Sequence, residues 1–201
     1  MVSRCRPLQI ILITLVLVCG NGSAALADTP AQHIKKTIER VMEIIRESKD
    51  ETKRAERRQM LRQTLLPRFD FAEMAKRSLG SHWKNQNGRQ EEFVAAFTDF
   101  VGNAYLIRIE SLKDEQVVYG RERVDQGLAA VDTKIVPGKG DPVSINYRLH
   151  LVDGEWKVYD VVIDDISVVN NYRSQFNRFL AKSSFDELLQ KLREKSAENG
   201  G

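Results

Sequence analysis

Five side chains in this 201-residue sequence are the candidates for proton transfer: His82, His150, Asp160, Asp164 and Asp165. A strand carboxyl that faces a cavity becomes a general base when burial lifts its pKa toward neutrality. Asp160 is the best placed, because it interrupts the apolar residues of WKVYDVVIDDIS, Trp156 to Ser167. His150 falls on the polar phase of its strand. Asp164 and Asp165 stand at a strand end, where acids ordinarily face water or brace a turn. The histidines form no HExxH pair, and no cysteine pair or carboxylate cluster has ligand spacing. No GxSxG, Walker loop or dinucleotide fingerprint occurs either. The motifs therefore offer no metal, no cofactor and little catalysis, and the chain reads as a protein that is not an enzyme. One basic run, Lys53-Arg54-Ala55-Glu56-Arg57-Arg58, suits acidic phospholipid headgroups or an acidic partner. More often such a run is simply the solvated face of a helix, with Glu51 and Glu56 as partners.

The same Trp156–Ser167 stretch poses a patterning problem. A half-buried strand alternates apolar and polar residues, since successive side chains point to opposite faces. Here Trp156, Val158 and Val162 form one apolar set, and Tyr159, Val161 and Ile163 form the other. Both faces must be covered. Helices can cover one, and the second can line a cavity, a further helical layer or another subunit.

The elements around it are read from period and punctuation. Arg4 and Arg6, an apolar run from Leu8 to Val18 and Ala25-Leu26-Ala27 have the layout of a secretory signal peptide, with cleavage expected after Ala27. Val18 is too large for the residue before a lipidated cysteine, which argues against lipidation at Cys19. Both cysteines lie in this leader, so residues 28–201 contain none and must hold together without disulfides. Without the two leader arginines the formal net charge falls from +3 to +1, which with export argues against nucleic-acid binding.

Ile34, Ile38, Val41 and Ile45 mark a first helix behind Thr29-Pro30, and a second runs from about Glu51 to Leu66. Asp70 and Glu73 suggest a capping box for a third, which Gly80 ends. A long helix from about Gln90 to Leu112 carries Phe93, Phe97, Val101 and Tyr105 at steps of four. Strands follow near Val117–Tyr119, Val131–Ile135, Val143–Leu151 and Trp156–Ile163, with a hairpin turn at Asp153-Gly154. Two helices close the chain, the second behind a Ser184/Glu187 capping box, with a frayed tail after Lys195. Helices, then an antiparallel sheet of about four strands, then helices make an α+β domain. Its expected parts are a helical part at about 28–112, a sheet at about 115–167 and C-terminal helices at about 168–195.

Three stretches carry a family resemblance: FDFAEMAKRSLGSHW (Phe69 to Trp83), DGEWKVYDVVIDDISVVNNYRSQF (Asp153 to Phe176) and SSFDELLQKLREK (Ser183 to Lys195). In this order they resemble the MlaC family of periplasmic phospholipid-binding proteins, also known as toluene-tolerance auxiliary components. The resemblance implies an NTF2-like curved sheet with helices before and after it, enclosing a hydrophobic pocket for the acyl chains of a glycerophospholipid. It implies a carrier between an outer-membrane lipoprotein complex and an inner-membrane MCE-domain protein of an ABC transporter. A hopanoid or other polar lipid is the alternative cargo, and an enzyme on the same scaffold the remaining alternative. The expected lipid contacts are Phe97, Val101 and Tyr105 on the long helix, and Tyr147, Leu149, Val161 and Ile163 on the sheet. Tyr172 and Phe176 would close one side. Trp156, Val158 and Val162 compete with Val161 and Ile163 for the cavity face.

Overall fold

Thr29 opens the first helix through a reciprocal cap. Its hydroxyl accepts a bond from the Gln32 amide (3.2 Å), and its own amide donates to the Gln32 side-chain oxygen (3.1 Å). The computed structural model describes residues 28–47, 51–86, 88–112 and 115–200. The expected leader and the cleavage after Ala27 lie outside them. Six α-helices are described: α1 (Pro30–Glu47), α2 (Arg54–Leu65), α3 (Phe71–Leu79), α4 (Gln90–Glu110), α5 (Val168–Leu180) and α6 (Phe185–Gly200). Between α4 and α5 lie β1 (Gln116–Asp125), β2 (Leu128–Val136), β3 (Val143–Val152), β4 (Glu155–Ile163) and the two-residue β5 (Ile166–Ser167). They form one antiparallel sheet in the order β1-β2-β3-β4-β5, so the architecture is α+β.

Three features extend or correct the sequence expectation. The sheet has five strands where about four were expected, β5 being a short return of the chain against Val162 and Ile163. β1 continues well past Tyr119. It is an edge strand, and its second half, Arg121-Glu122-Arg123, is charged and solvent-facing, with a register shift between Tyr119 and Glu122. α6 runs to Gly200 rather than fraying after Lys195. Asn103 Nδ2 donates to the Ser196 hydroxyl (2.9 Å) and carbonyl (3.2 Å), and the Arg58 guanidinium bonds the Asn199 carbonyl.

The expected turn chemistry is present. Asp153 and Gly154 both have positive φ (50° and 83°), the conformation of a tight two-residue hairpin. Asp70 caps α3 by accepting from the Glu73 amide (2.9 Å), while its own amide donates to the Val158 carbonyl (2.8 Å). That bond, with the parallel bridge between Phe69 and Val158, covers the outer edge of β4 and ties α3 to the sheet. Ser184 and Glu187 form the capping box that opens α6.

Three apolar clusters divide the interior. One joins α3 to α6 around Phe93, Phe97, Phe176 and Leu189. A second joins α1, α2 and α4 through Val41, Ile44, Leu61 and Leu106. The third seats Ile34 on the sheet residues Ala129, Val131, Leu149 and Val158. The arginines of α2 serve this packing, because Arg62 bonds Asp99 and Asn103 of α4 while Arg58 reaches α6.

Candidate functional site

The three clusters leave a gap between them. It is a cavity of about 340 Å³, within the range of small-molecule sites. Its helical wall comes from Ile34, Ile38, Val41 and Met42 of α1, Met74 of α3, and Val101, Tyr105, Leu106 and Ile109 of α4. Leu66, Phe69 and Phe71 contribute from the α2–α3 connection and the first turn of α3. The sheet contributes Val117, Thr133, Ile135, Val143, Ile145, Tyr147, Val158, Val161 and Ile163.

Register explains why these sheet residues share one face. Directly opposed residues of an antiparallel pair point the same way. Val117 opposes Ile135, Ile135 opposes Val143, Tyr147 opposes Val161, and Ile145 opposes Ile163. The pairing then slips. Arg148 opposes Asp160 but Leu149 opposes Val158, so Tyr159 is an extra residue in β4. Such a bulge exchanges the faces of the strand on its two sides. Trp156 and Val158 point inward before it, and Val161 and Ile163 after it. The inner face of WKVYDVVIDDIS is thus read in two phases, Trp156 and Val158 from one apolar set and Val161 and Ile163 from the other.

The ends of the cavity differ. Where Ala129, Val131, Leu149 and Val158 meet Ile34, all five are buried. At the opposite strand ends, Val117, Ile135, Val143 and Ile163 stay half-buried beside Ile109, Leu112 and exposed Arg108. The mouth lies there.

The threonine hydroxyls in the wall are occupied by backbone carbonyls. The Thr37 hydroxyl donates to the His33 carbonyl (2.8 Å), and the Thr133 hydroxyl to the Ile145 carbonyl (3.3 Å). Burial pushes the Tyr147 phenol up to about 12. Apart from Tyr105, Arg68, Arg108 and Glu115, what the wall presents is hydrocarbon.

Of the nine residues singled out in the sequence, Val101, Tyr105, Tyr147, Val161 and Ile163 line the cavity. Phe97, Tyr172 and Phe176 pack in the cluster of α3 to α6, edge-to-face or stacked at 5.7–6.2 Å. Leu149 is wholly buried under Ile34. Val158 lines the cavity beside Val161 and Ile163, whereas Trp156 and Val162 do not. Sequence reasoning misses the α1 residues, although their stripe Ile34-Ile38-Val41 is plain. It carries no mark that distinguishes a cavity wall from a core.

The titratable candidates lie off the cavity wall. Asp160, 3% exposed, accepts from Ser167 Oγ (2.7 Å), Arg148 (3.1 Å) and the Val169 amide (3.1 Å), which fixes the start of α5 on β4. His150 pairs with the α3 cap Asp70 at 2.9 Å. Asp164 and Asp165, both at positive φ (44° and 65°), form the turn into β5, and Asp164 exchanges two bonds with Ser144. His82 lies in the 3-10 turn after α3 and its carbonyl accepts from Gln86. Among the described residues, no three His, Cys, Asp or Glu side chains gather as a metal site would require.

The model of the MlaC protein family matches residues 35–194. Over 147 residues the chain is 24% identical to the intermembrane phospholipid transport system binding protein MlaC of Haemophilus influenzae, covering 70% of this chain and 69% of that protein. Over 98 residues it is 28% identical to the toluene tolerance protein ttg2D of Pseudomonas putida, covering 48% and 44% respectively. Among solved structures, a phospholipid-binding protein from Ralstonia solanacearum in complex with a phospholipid has the same fold. Its TM-score is 0.74 at 23% identity, over 84% of this chain and 97% of that one.

Proposed function

The chain belongs to the MlaC family, and from that premise we propose that it is a periplasmic carrier of glycerophospholipid, holding acyl chains in the cavity between α1, α4 and the sheet. The observation that carries this reading is the wall itself: aliphatic and aromatic side chains from α1, α4 and the sheet, with charged side chains only at Arg68, Arg108 and Glu115 among the described residues and with the Thr37 and Thr133 hydroxyls bonded to backbone carbonyls. The relatives named for phospholipid transport and phospholipid binding support it.

The physics of the task fits such a wall. Two acyl chains of about fifteen methylenes each carry roughly 24 kcal/mol of apolar hydration cost, so a lipid leaves a bilayer unaided only rarely. A hydrocarbon-lined cavity removes most of that cost and brings transfer between membrane and carrier close to neutral. In this reading residues 1–27 are the export signal and 28–201 one lipid-binding domain. Cargo passes between an outer-membrane lipoprotein complex and the MCE-domain protein of an inner-membrane ABC transporter. Val101, Tyr105, Tyr147, Val161 and Ile163 touch the acyl chains.

Organic extraction of the purified protein followed by mass spectrometry tests the carrier reading. Stoichiometric phospholipid is expected, and an empty, folded protein sinks it. Val161→Asp and Ile163→Asp put a charge on the wall and should abolish the co-purifying lipid while circular dichroism still shows a folded protein. Lipid retained in both variants would place the acyl chains elsewhere.

A further inference from the structure

Only three charged side chains line the cavity among the described residues: Arg68, Arg108 and Glu115. Arg108 stands at the mouth, in the last turn of α4, with its guanidinium 5.6 Å from the ring centre of Tyr105. Several surface arginines have carboxylate partners, as Arg62 has Asp99, Arg89 has Glu92 and Asp186, and Arg193 has Glu92, while others, such as Arg121 and Arg178, have none among the described residues; Arg108 differs from these in lining the cavity. Arg108 has neither an ion pair nor a side-chain hydrogen bond among the described residues.

Two phenols share its surroundings. Tyr105 and Tyr172 each feel the charge of Arg108, and Tyr172 that of the Tyr105 phenol. Neither hydroxyl has a hydrogen-bond partner among the described residues. Burial outweighs the arginine for both, raising Tyr105 and pushing Tyr172 up to about 12, so both stay protonated donors at neutral pH. The wall toward the mouth thus carries the Arg108 guanidinium without an ion pair, the Tyr105 phenol beneath it and the Glu115 carboxylate, with the nearby Asp160 carboxylate already held by three donors.

We propose that Arg108, assisted by the Tyr105 hydroxyl, holds the phosphodiester of the bound lipid at the cavity mouth. A guanidinium presents parallel N–H donors that match two phosphate oxygens, and its attraction does not depend on what is esterified beyond the phosphate. Because Arg108 is exposed, the interaction is weak enough to break at each delivery. It selects for a phosphodiester as such, and leaves the headgroup species and chain type unread. Arg68 also lines the cavity without an ion pair, but it stands beside Phe69 and the dry end of the sheet, with Glu155 in its field.

This assignment rests on the carrier reading, and one experiment separates the two. The lipid-stripped protein is incubated with vesicles holding equal amounts of phosphatidylglycerol and diacylglycerol of identical acyl chains. It is then re-isolated, and its lipid is measured by mass spectrometry. Wild type should favour phosphatidylglycerol. Arg108→Gln should lower the ratio about three- to fivefold and Arg108→Glu about tenfold, the scale on which an exposed charge-assisted hydrogen bond is removed or its charge reversed. Total lipid should stay constant. Arg108→Lys should keep most of the preference, and Arg68→Gln should leave it unchanged. An unchanged ratio in Arg108→Glu, or a fall in Arg68→Gln instead, overturns the assignment while the carrier reading stands. Wild type that takes up neither lipid overturns both. Tight, Arg108-dependent binding of inorganic phosphate by the lipid-free protein would make this a site for the free anion, and would overturn the headgroup assignment.

Discussion

Asp160 is buried with its two oxygens divided between Ser167 and Arg148 on one side and the Val169 amide on the other. Arg148 is 43% exposed, so its share is screened by water and small. The buried hydroxyl and amide donors matter more, because each is left unsatisfied if the acceptor goes. Asp160→Asn keeps the shape but sets an amide N–H₂ against a donor. It should cost about 1–3 kcal/mol in urea denaturation, with lipid content unchanged in the folded protein. A fall in lipid content at unchanged stability would contradict the structural role described for this residue. The sequence marks Asp160 as unusual, an acid among strand aliphatics, and that signal is real. Its partners come from 7, 9 and 12 residues away, across a turn, a helix start and a neighbouring strand. No local pattern encodes such a convergence.

At the scale of elements, the caps and turns are legible because each is a local agreement between neighbouring residues. Thr29, Asp70, Ser184 and the Asp153-Gly154 hairpin fold as their types require. What escapes depends on a neighbour. β1 lacks alternation because, as an edge strand, it has water over most of its length. The cavity phase of β4 cannot be chosen from its residues alone because Tyr159 divides it. The aromatic stripe of α4 lies half in the core, where Phe97 meets Phe176, and half on the cavity, where Val101 and Tyr105 face it. The tail of α6 looks unanchored in sequence since its anchors, Asn103 and Arg58, stand 93 and 141 residues away in the chain. Removing residues 196–201 takes away both anchors, and about 1–3 kcal/mol of stability should go with them. Thermal denaturation of the shortened protein checks this. An unchanged midpoint would mean that the last turns of α6 hang free in solution.

As a whole the molecule forgoes part of its own core. Atoms that face a cavity lack protein partners on one side, so the cavity costs packing energy that cargo restores. Cargo bound only by the folded state at a hundred times its dissociation constant adds about 2.7 kcal/mol. For a chain of this size that should raise the midpoint of thermal unfolding by about 5–10 °C over the lipid-stripped protein. Scanning calorimetry before and after reloading checks it, and equal midpoints would mean that the cavity closes on itself when stripped. The pairing of Thr37 and Thr133 with backbone carbonyls inside the wall has a kinetic consequence. An acyl chain that slides along this wall meets no directional bond to break, so its departure resembles a rod drawn from a smooth sleeve. Each methylene adds a similar increment of about 0.8 kcal/mol as it reaches water. The exit time then grows geometrically with chain length, and the dwell of a cargo is set by how long it is, with little regard to where along the sleeve it lies.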